Sequence, residues 1–68
     1  PSFHVVIKIY NYLGQLIAVL LDEEQSAGQY KIIWNGRDFN NNLAASGIYF
    51  YSVQAGGYTA ARKMVLLR

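Results

Sequence analysis

The sequence contains no cysteine and a single histidine, and these shortages exclude two common ways of stabilising a small domain. No disulfide can form, and His4 has no thiolate or second imidazole with which to hold zinc. A chain of 68 residues buries only about 60% of the surface that its unfolded form exposes. Its stability must therefore come from a dense apolar core or from association with other chains.

Charged residues are also scarce, at 15% of the chain, whereas an ordinary soluble domain carries about 25%. The net charge is only +2, and the basic residues are scattered as Lys8, Lys31, Arg37, Arg62, Lys63 and Arg68. Nucleic acid is therefore not an expected partner, and cross-strand pairs explain the six tyrosines better than a base-stacking platform does. No apolar run is long enough to span a membrane as a helix.

No set of residues has the spacing of an active site. Ser46, His4 and Asp38 are the residue types of a catalytic triad, but a Ser-Gly turn accounts for Ser46 and the exposed start of a strand accounts for His4. The acidic run Asp22-Glu23-Glu24 lacks the alternating oxygen ligands of a calcium loop and is expected to form a solvated turn. We therefore expect no enzyme, no metal site and no cofactor.

The chain is rich in β-forming residues, and 53% of it is hydrophobic. Residues 45–55 open on a Ser-Gly turn signal, continue as a β-branched and aromatic segment and stop at a Gly-Gly pair. This pattern predicts a strand at the centre of a sheet. Alternation places Tyr49 and Tyr51 on one face and Ile48 and Phe50 on the other, so neither face is wholly polar.

Alternation also predicts a hairpin in the first third of the chain. Residues 4–10 are expected to form a strand with Ile7 and Ile9 inward, and the Asn and Gly of residues 11–14 favour a tight reversal. Residues 15–21 are then the returning strand. A helix over residues 15–25 is the alternative, because these residues include good helix formers, although no capping residue precedes them.

Further along, the pattern alternates between loops and strands. A polar loop is expected at residues 22–28, followed by a third strand at residues 29–34 with Trp34 as its core anchor. Residues 35–42 are dense in turn formers and predict a long surface loop. A last strand at residues 58–68 brings the prediction to about five antiparallel strands with no helix.

Several short motifs, taken in order, resemble those of a known family. They are Ile9-Tyr10-Asn11, Gly14-Gln15, Ser26-Ala27-Gly28, Tyr30, Trp34-Asn35-Gly36, the run from Ala45 to Tyr51, and the tail from Arg62 to Arg68. This combination resembles the C-terminal sorting domain of the type IX secretion system of Bacteroidota and related bacteria. It is also similar to the immunoglobulin-like domain of flagellar hook-capping proteins, which has a comparable Gly-Tyr and Ser-Gly-Tyr framework.

The resemblance implies an immunoglobulin-like antiparallel β-sandwich that is not an enzyme. In the sorting family this domain ends a secreted protein, is recognised by the outer-membrane secretion machinery and is commonly replaced by a surface lipid anchor. The implied recognition tail is Lys63, Met64, Leu66, Leu67 and Arg68. The implied structural framework is Gly14, Gly28, Tyr30, Trp34, Gly36, Ser46, Gly47, Tyr49 and Tyr51.

Three departures from the sorting family suggest a partner. Family members usually have one or two further strands before the point where this chain starts, so we expect the sheet to have an open edge. We expect residues 1–68 to be a single module, the C-terminal part or processed product of a longer secreted chain. Asn42 stands where the family usually has Gly, and Asn tolerates a left-handed conformation. Apolar residues also stand at outward positions, namely Val6, Leu16, Val19 and Ile33.

Two functions follow from the resemblance and these departures. The first is a sorting and anchoring signal for type IX secretion on a protein that is secreted to the cell surface or beyond. The second is a structural subunit of an extracellular filament or oligomer, built by adding β-strands between copies through the open edge.

Overall fold

The computed structural model describes residues 2–29 and 31–67, which form an all-β fold with no helix in those ranges. Four strands make one antiparallel sheet: β1 (Ser2–Asn11), β2 (Leu16–Ser26), β3 (Gly47–Ala55) and β4 (Tyr58–Leu66). Their order across the sheet is β2-β1-β3-β4. The prediction of a central strand within residues 45–55 is confirmed, because β3 pairs with β1 on one side and with β4 on the other.

Asn11 shapes the hairpin that joins β1 to β2. Its side-chain Oδ1 accepts hydrogen bonds from the backbone N–H groups of Leu13 and Gln15, at 3.0 and 2.9 Å. Gly14 has a φ of 83°, a left-handed conformation that glycine adopts without steric cost. The hairpin predicted from these turn residues is therefore confirmed.

β2 is longer than predicted because it contains two β-bulges and continues through the acidic run. Its register with β1 shifts twice, leaving Ile17 and Leu20 as the extra residues. The bulges let the neighbours Ile17 and Ala18 both pack on the core, although successive residues of a regular strand point to opposite faces. The apolar run 16–21 can therefore form a strand. The helix alternative is wrong.

The expected polar loop beginning at residue 22 is also wrong. Asp22, Glu23 and Glu24 lie in β2 and pair with Val6, Val5 and His4 of β1. Pairing with β1 outweighs the weak intrinsic β-propensity of acidic residues, which is a small and context-dependent preference.

The core lies on the sheet face that carries the odd-numbered residues of β1 and β3. Ile9, Ala18 and Tyr49 are buried, and Ile9 is only 1% exposed. The partly buried side chains that pack against them are Ile17, Leu20, Trp34, Ala44, Tyr51, Met64 and Leu66. The predicted inward direction of Ile9 is confirmed, and Tyr49 and Tyr51 share one face as the alternation predicts. We call this side the inner face and the opposite side the outer face.

An irregular segment, residues 31–44, lies over the inner face and forms the second layer. The third strand predicted at residues 29–34 is not found among the described residues of that range, so the sheet has four strands rather than five. Trp34 nevertheless packs against the core as expected. An aromatic anchor of this kind needs a fixed position over the sheet, and an irregular backbone supplies it without a hydrogen-bonded ladder.

The polar loop at residues 35–42 is confirmed as a loop, and it is well ordered by its own hydrogen bonds. The Asp38 carboxylate accepts hydrogen bonds from the backbone N–H groups of Asn40 and Asn42, at 2.9 and 3.0 Å. Arg37 and Leu43 form an isolated antiparallel bridge across its base. The left-handed asparagine is Asn41, with a φ of 64°, so the assignment of that conformation to Asn42 is wrong by one position.

Candidate functional site

Trp34 and Tyr49 join the covering segment to the sheet. Their rings meet edge to face, with centroids 5.2 Å apart. The Tyr49 hydroxyl donates a hydrogen bond to the carbonyl oxygen of Ala45 at 2.6 Å, and the Trp34 indole N–H donates to that of Arg37 at 3.0 Å. Both polar tips are therefore satisfied, as partly buried aromatic residues require. This cluster fixes which face of the sheet is covered.

The glycines and the serine of the predicted framework lie in loops, turns or at a strand end. Gly28 follows β2, Gly36 is buried in the covering segment, and Ser46 and Gly47 stand at the start of β3. Tyr51 shares the inner face with Tyr49, while Tyr30 lies outside the described residues. Their value as markers of a sorting domain stays a prediction.

The outer face carries a row of apolar side chains in contact with solvent. Cross-strand pairing places Leu16, Tyr10 and Phe50 side by side on β2, β1 and β3. The exposed apolar side chains of this face are Leu16, Val19, Ile48, Phe50 and Val65. A contiguous apolar surface on a small chain is typical of an interaction site.

The four residues predicted to mediate self-association are only partly brought together. Val6, Leu16 and Val19 lie on the outer face of the neighbouring strands β1 and β2. Ile33 belongs to the covering segment, is 75% exposed and lines a shallow depression with Val19 beside β2. The structure therefore places three of the four on one face of neighbouring strands, with Ile33 beside Val19 in the covering segment.

The predicted recognition tail forms much of β4, which is an edge strand. Within the described residues β4 pairs only with β3, so its other side has no partner strand. Lys63 is exposed on the outer face, Met64 and Leu66 pack on the core, and Leu67 is 82% exposed just beyond the strand. Arg68 lies outside the described residues. Of the four described tail residues, two pack on the core and two are accessible.

β2 is the opposite edge strand, and it is open over its acidic half. The backbone N–H of Phe39 donates to the carbonyl oxygen of Ile17 at 3.1 Å, which occupies the edge at one end. From Val19 to Gln25, the part of the chain that the structure describes offers β2 no partner strand other than β1. Asp22, Glu23 and Glu24 are exposed there.

His4 contacts the acidic half of β2. Its Nε2 is hydrogen-bonded to Asp22, and its Nδ1 lies 3.7 Å from a Glu24 carboxylate oxygen. Asp38 instead holds the turn of its own loop, so a triad of Ser46, His4 and Asp38 has no structural support. Residues 2–29 and 31–67 contain no group of His, Cys, Asp or Glu able to hold a metal ion.

Comparison with known proteins identifies the family. The model of the FlgD Ig-like domain matches residues 1–59, which is most of the chain. The chain belongs to the FlgD Ig-like domain family. Neither a curated protein nor a solved structure matched it.

Membership of the FlgD Ig-like domain family confirms the expected Ig-like fold and the hook-capping part of the resemblance. The match ends at residue 59, so the tail that resembles a type IX sorting signal lies beyond it. No helix in the described ranges is long and apolar enough to cross a membrane.

Sequence reasoning missed the acidic edge of the sheet. The run Asp22-Glu23-Glu24 looked like a turn because the preceding apolar residues end at Leu21. The signal that could have located it was the alternation of residues 2–10, since the start of so long a strand lies opposite residues beyond 21 when an antiparallel hairpin continues. The structure places the residues of the expected loop in an edge strand of the sheet.

Proposed function

We propose that the chain is a non-enzymatic structural module of a secreted protein and that it assembles with copies of itself by strand addition. The observation that carries this proposal is the pair of open edges, on β2 and β4, at the two sides of a single sheet. An unpaired strand edge presents backbone N–H and C=O groups that a further strand can satisfy. A sheet open at both edges can add a copy on each side.

The apolar outer face supports the same function. Leu16 and Val19 are each about two-fifths exposed, at 40% and 39%, and they lie directly on the open strand β2. Their burial against a neighbouring copy would remove apolar surface from water, at about 25 cal/mol per Å². The covering segment lies over the inner face, so the apolar side chains of the outer face stay in contact with solvent.

Substitution of Leu16 and Ile33 by threonine tests the assembly. Threonine keeps the β-propensity of a strand but removes apolar surface, so the L16T/I33T chain should need about tenfold more protein to assemble. Light scattering over a concentration series measures this threshold. The matched control is L13T/L43T, which alters two other exposed leucines away from the outer face. An unchanged threshold for L16T/I33T would contradict the proposal.

A second candidate function is a sorting and anchoring signal for type IX secretion, read through β4. The favouring observation is that Lys63 and Leu67 are exposed on or beside an edge strand, where a receptor strand could pair. In this role the partner is the outer-membrane secretion machinery, and the module directs its protein to the bacterial surface.

A reporter fusion in a host with type IX secretion tests this second function. The K63A/L67A change leaves Met64 and Leu66 in the core, so it should retain a folded fusion in the periplasm and lower surface delivery at least about tenfold. The control K31A/L13A removes the same residue types elsewhere. Normal delivery of the K63A/L67A fusion would eliminate the tail as a signal, and poor delivery of both variants would do the same.

A further inference from the structure

The two open edges of the sheet carry opposite charge. On β2, Asp22, Glu23 and Glu24 supply three of the four acidic residues of the chain. On β4, Arg62 and Lys63 are adjacent and exposed. Among the described residues, the Arg62 guanidinium donates to the neighbouring Ala61 carbonyl oxygen at 3.1 Å, and neither Arg62 nor Lys63 pairs with a carboxylate.

We propose that β4 of one copy pairs antiparallel with β2 of the next, so that copies add head to tail through complementary edges. This inference rests on the proposed self-assembly and names its partner surfaces. In the order β2-β1-β3-β4 every neighbour is antiparallel, so β2 and β4 run in opposite directions. A copy displaced sideways without rotation therefore places its β2 antiparallel to the β4 beside it.

The register follows from the charges and from which face each side chain occupies. Lys63 and Asp22 both lie on the outer face, whereas Arg62 and Glu23 both lie on the inner face. Pairing Lys63 with the next copy's Asp22 therefore also pairs Arg62 with its Glu23, and it sets Met64 opposite Leu21. Opposite charges directly across two strands are stabilising, and the apolar pair adds to them.

This register also avoids the occupied part of the β2 edge. The backbone N–H of Phe39 already donates to the Ile17 carbonyl oxygen, so an added strand has to pair with the acidic half of β2. Within one copy Lys63 shares its row with Tyr10 and Asp22 shares its row with Val6. These rows are four residues apart, so successive copies are staggered by about 13 Å along the strands.

Like edges are poor partners for each other. An antiparallel β4–β4 pair centred on Arg62 brings two guanidinium groups face to face, and a β2–β2 pair centred on Glu23 brings carboxylates together. Like charges directly opposite are destabilising. The edge charges therefore favour an open, heterologous chain of copies over a closed symmetric dimer.

Charge reversal with mixing tests this inference. The R62E/K63E chain has two acidic edges and the D22K/E23K chain has two basic edges, so each alone should need at least about tenfold more protein to assemble than the wild type. Mixed in equal amounts, they should co-assemble in alternation near the wild-type threshold. Circular dichroism checks that each variant is folded, and light scattering with negative-stain microscopy measures assembly.

Each other outcome overturns a stated part of the account. If the wild type stays monomeric, self-assembly fails and the edge pairing fails with it. If the wild type assembles and the variants match it, or if the mixture stays dispersed while both variants are folded, edge pairing alone is wrong. If a variant fails to fold, the single reversals K63E and D22K, both on exposed side chains, replace the double reversals in the mixing experiment. Co-assembly of that mixture then supports edge pairing, and a dispersed mixture contradicts it.

Discussion

At the scale of single residues, a few side chains with paired polar tips hold the covering segment in place. Tyr49 is the clearest case, because it is buried, contacts Trp34 edge to face and donates its hydroxyl to Ala45. Ala45 lies between the covering segment and β3, which begins at Gly47, so the bond ties the end of the covering segment to the sheet. A hydroxyl bond of this kind from a tyrosine to backbone a few residues upstream is also a feature of immunoglobulin-like domains.

Removing the Tyr49 hydroxyl should weaken this connection measurably. The Y49F change keeps the ring contact with Trp34 and loses one hydrogen bond, so the free energy of unfolding should fall by about 1 kcal/mol. For a domain of this size that corresponds to a fall in Tm of about 4–8 °C by thermal circular dichroism. Y51F is the control, since the Tyr51 hydroxyl has no hydrogen-bond partner in the described residues. Equal Tm values for Y49F and Y51F would contradict the assigned role.

At the scale of elements, the turns fix the register of the two hairpins. The β3–β4 hairpin pairs Ala55 with Tyr58, so only Gly56 and Gly57 form its loop. Gly56 has a φ of 59°, whereas Gly57 is not among the described glycines with positive φ, a pattern typical of a type II′ turn. A Cβ at Gly56 would also lie 2.8 Å from the Phe3 ring.

The two glycines should therefore respond differently to alanine. G56A forces a left-handed conformation on a residue with a Cβ, which costs about 1–2 kcal/mol, and the Phe3 ring must also move. G57A has nothing within 4 Å of the added Cβ and should change stability by less than about 0.5 kcal/mol. Chemical denaturation of both variants measures the difference. Equal losses would show that the turn does not have the geometry described.

Strands and turns were predictable where neighbouring residues in the sequence determine them. They were not predictable where packing against residues far away in the sequence determines them. The strands β1, β3 and β4 follow from alternation, and both hairpins follow from their Asn and Gly residues. Residues 29–34 alternate like a strand, but in the described part of that range the pattern reflects Ile32 and Trp34 reaching the inner face from an irregular backbone. The bulges of β2 left no signal in sequence, because they arise from pairing with β1.

The candidate interaction surface shows the same division. The outward position of Val6 followed from the period of a strand. The outward positions of Leu16 and Val19 were expected from the family resemblance alone. These two residues are three apart, and they share a face of β2 only because the bulge at Ile17 lies between them. The acidic edge was not foreseen, because its position depends on how far β2 continues beside β1. Charge complementarity between edges needs both strands and their order, which no local pattern contains.

At the scale of the whole molecule, the chain has a small core and a large unpaired surface. Only Ile9, Ala18 and Tyr49 are buried hydrophobic residues among those that the structure describes. A domain this small is marginally stable alone, and the absence of cysteine removes the usual covalent reinforcement. Association through the edges and outer face would supply the missing burial, so folding and assembly are expected to reinforce each other.

The mass and shape of the wild-type chain over a range of concentrations test the central claim most directly. Light scattering with negative-stain microscopy should show mass rising with concentration and elongated particles in which each copy adds four strands, about 19 Å measured across the strands. Raising the salt concentration should weaken assembly, because the proposed pairs are exposed charges. A folded particle that stays at the monomer mass of 7.7 kDa at every concentration would contradict the account.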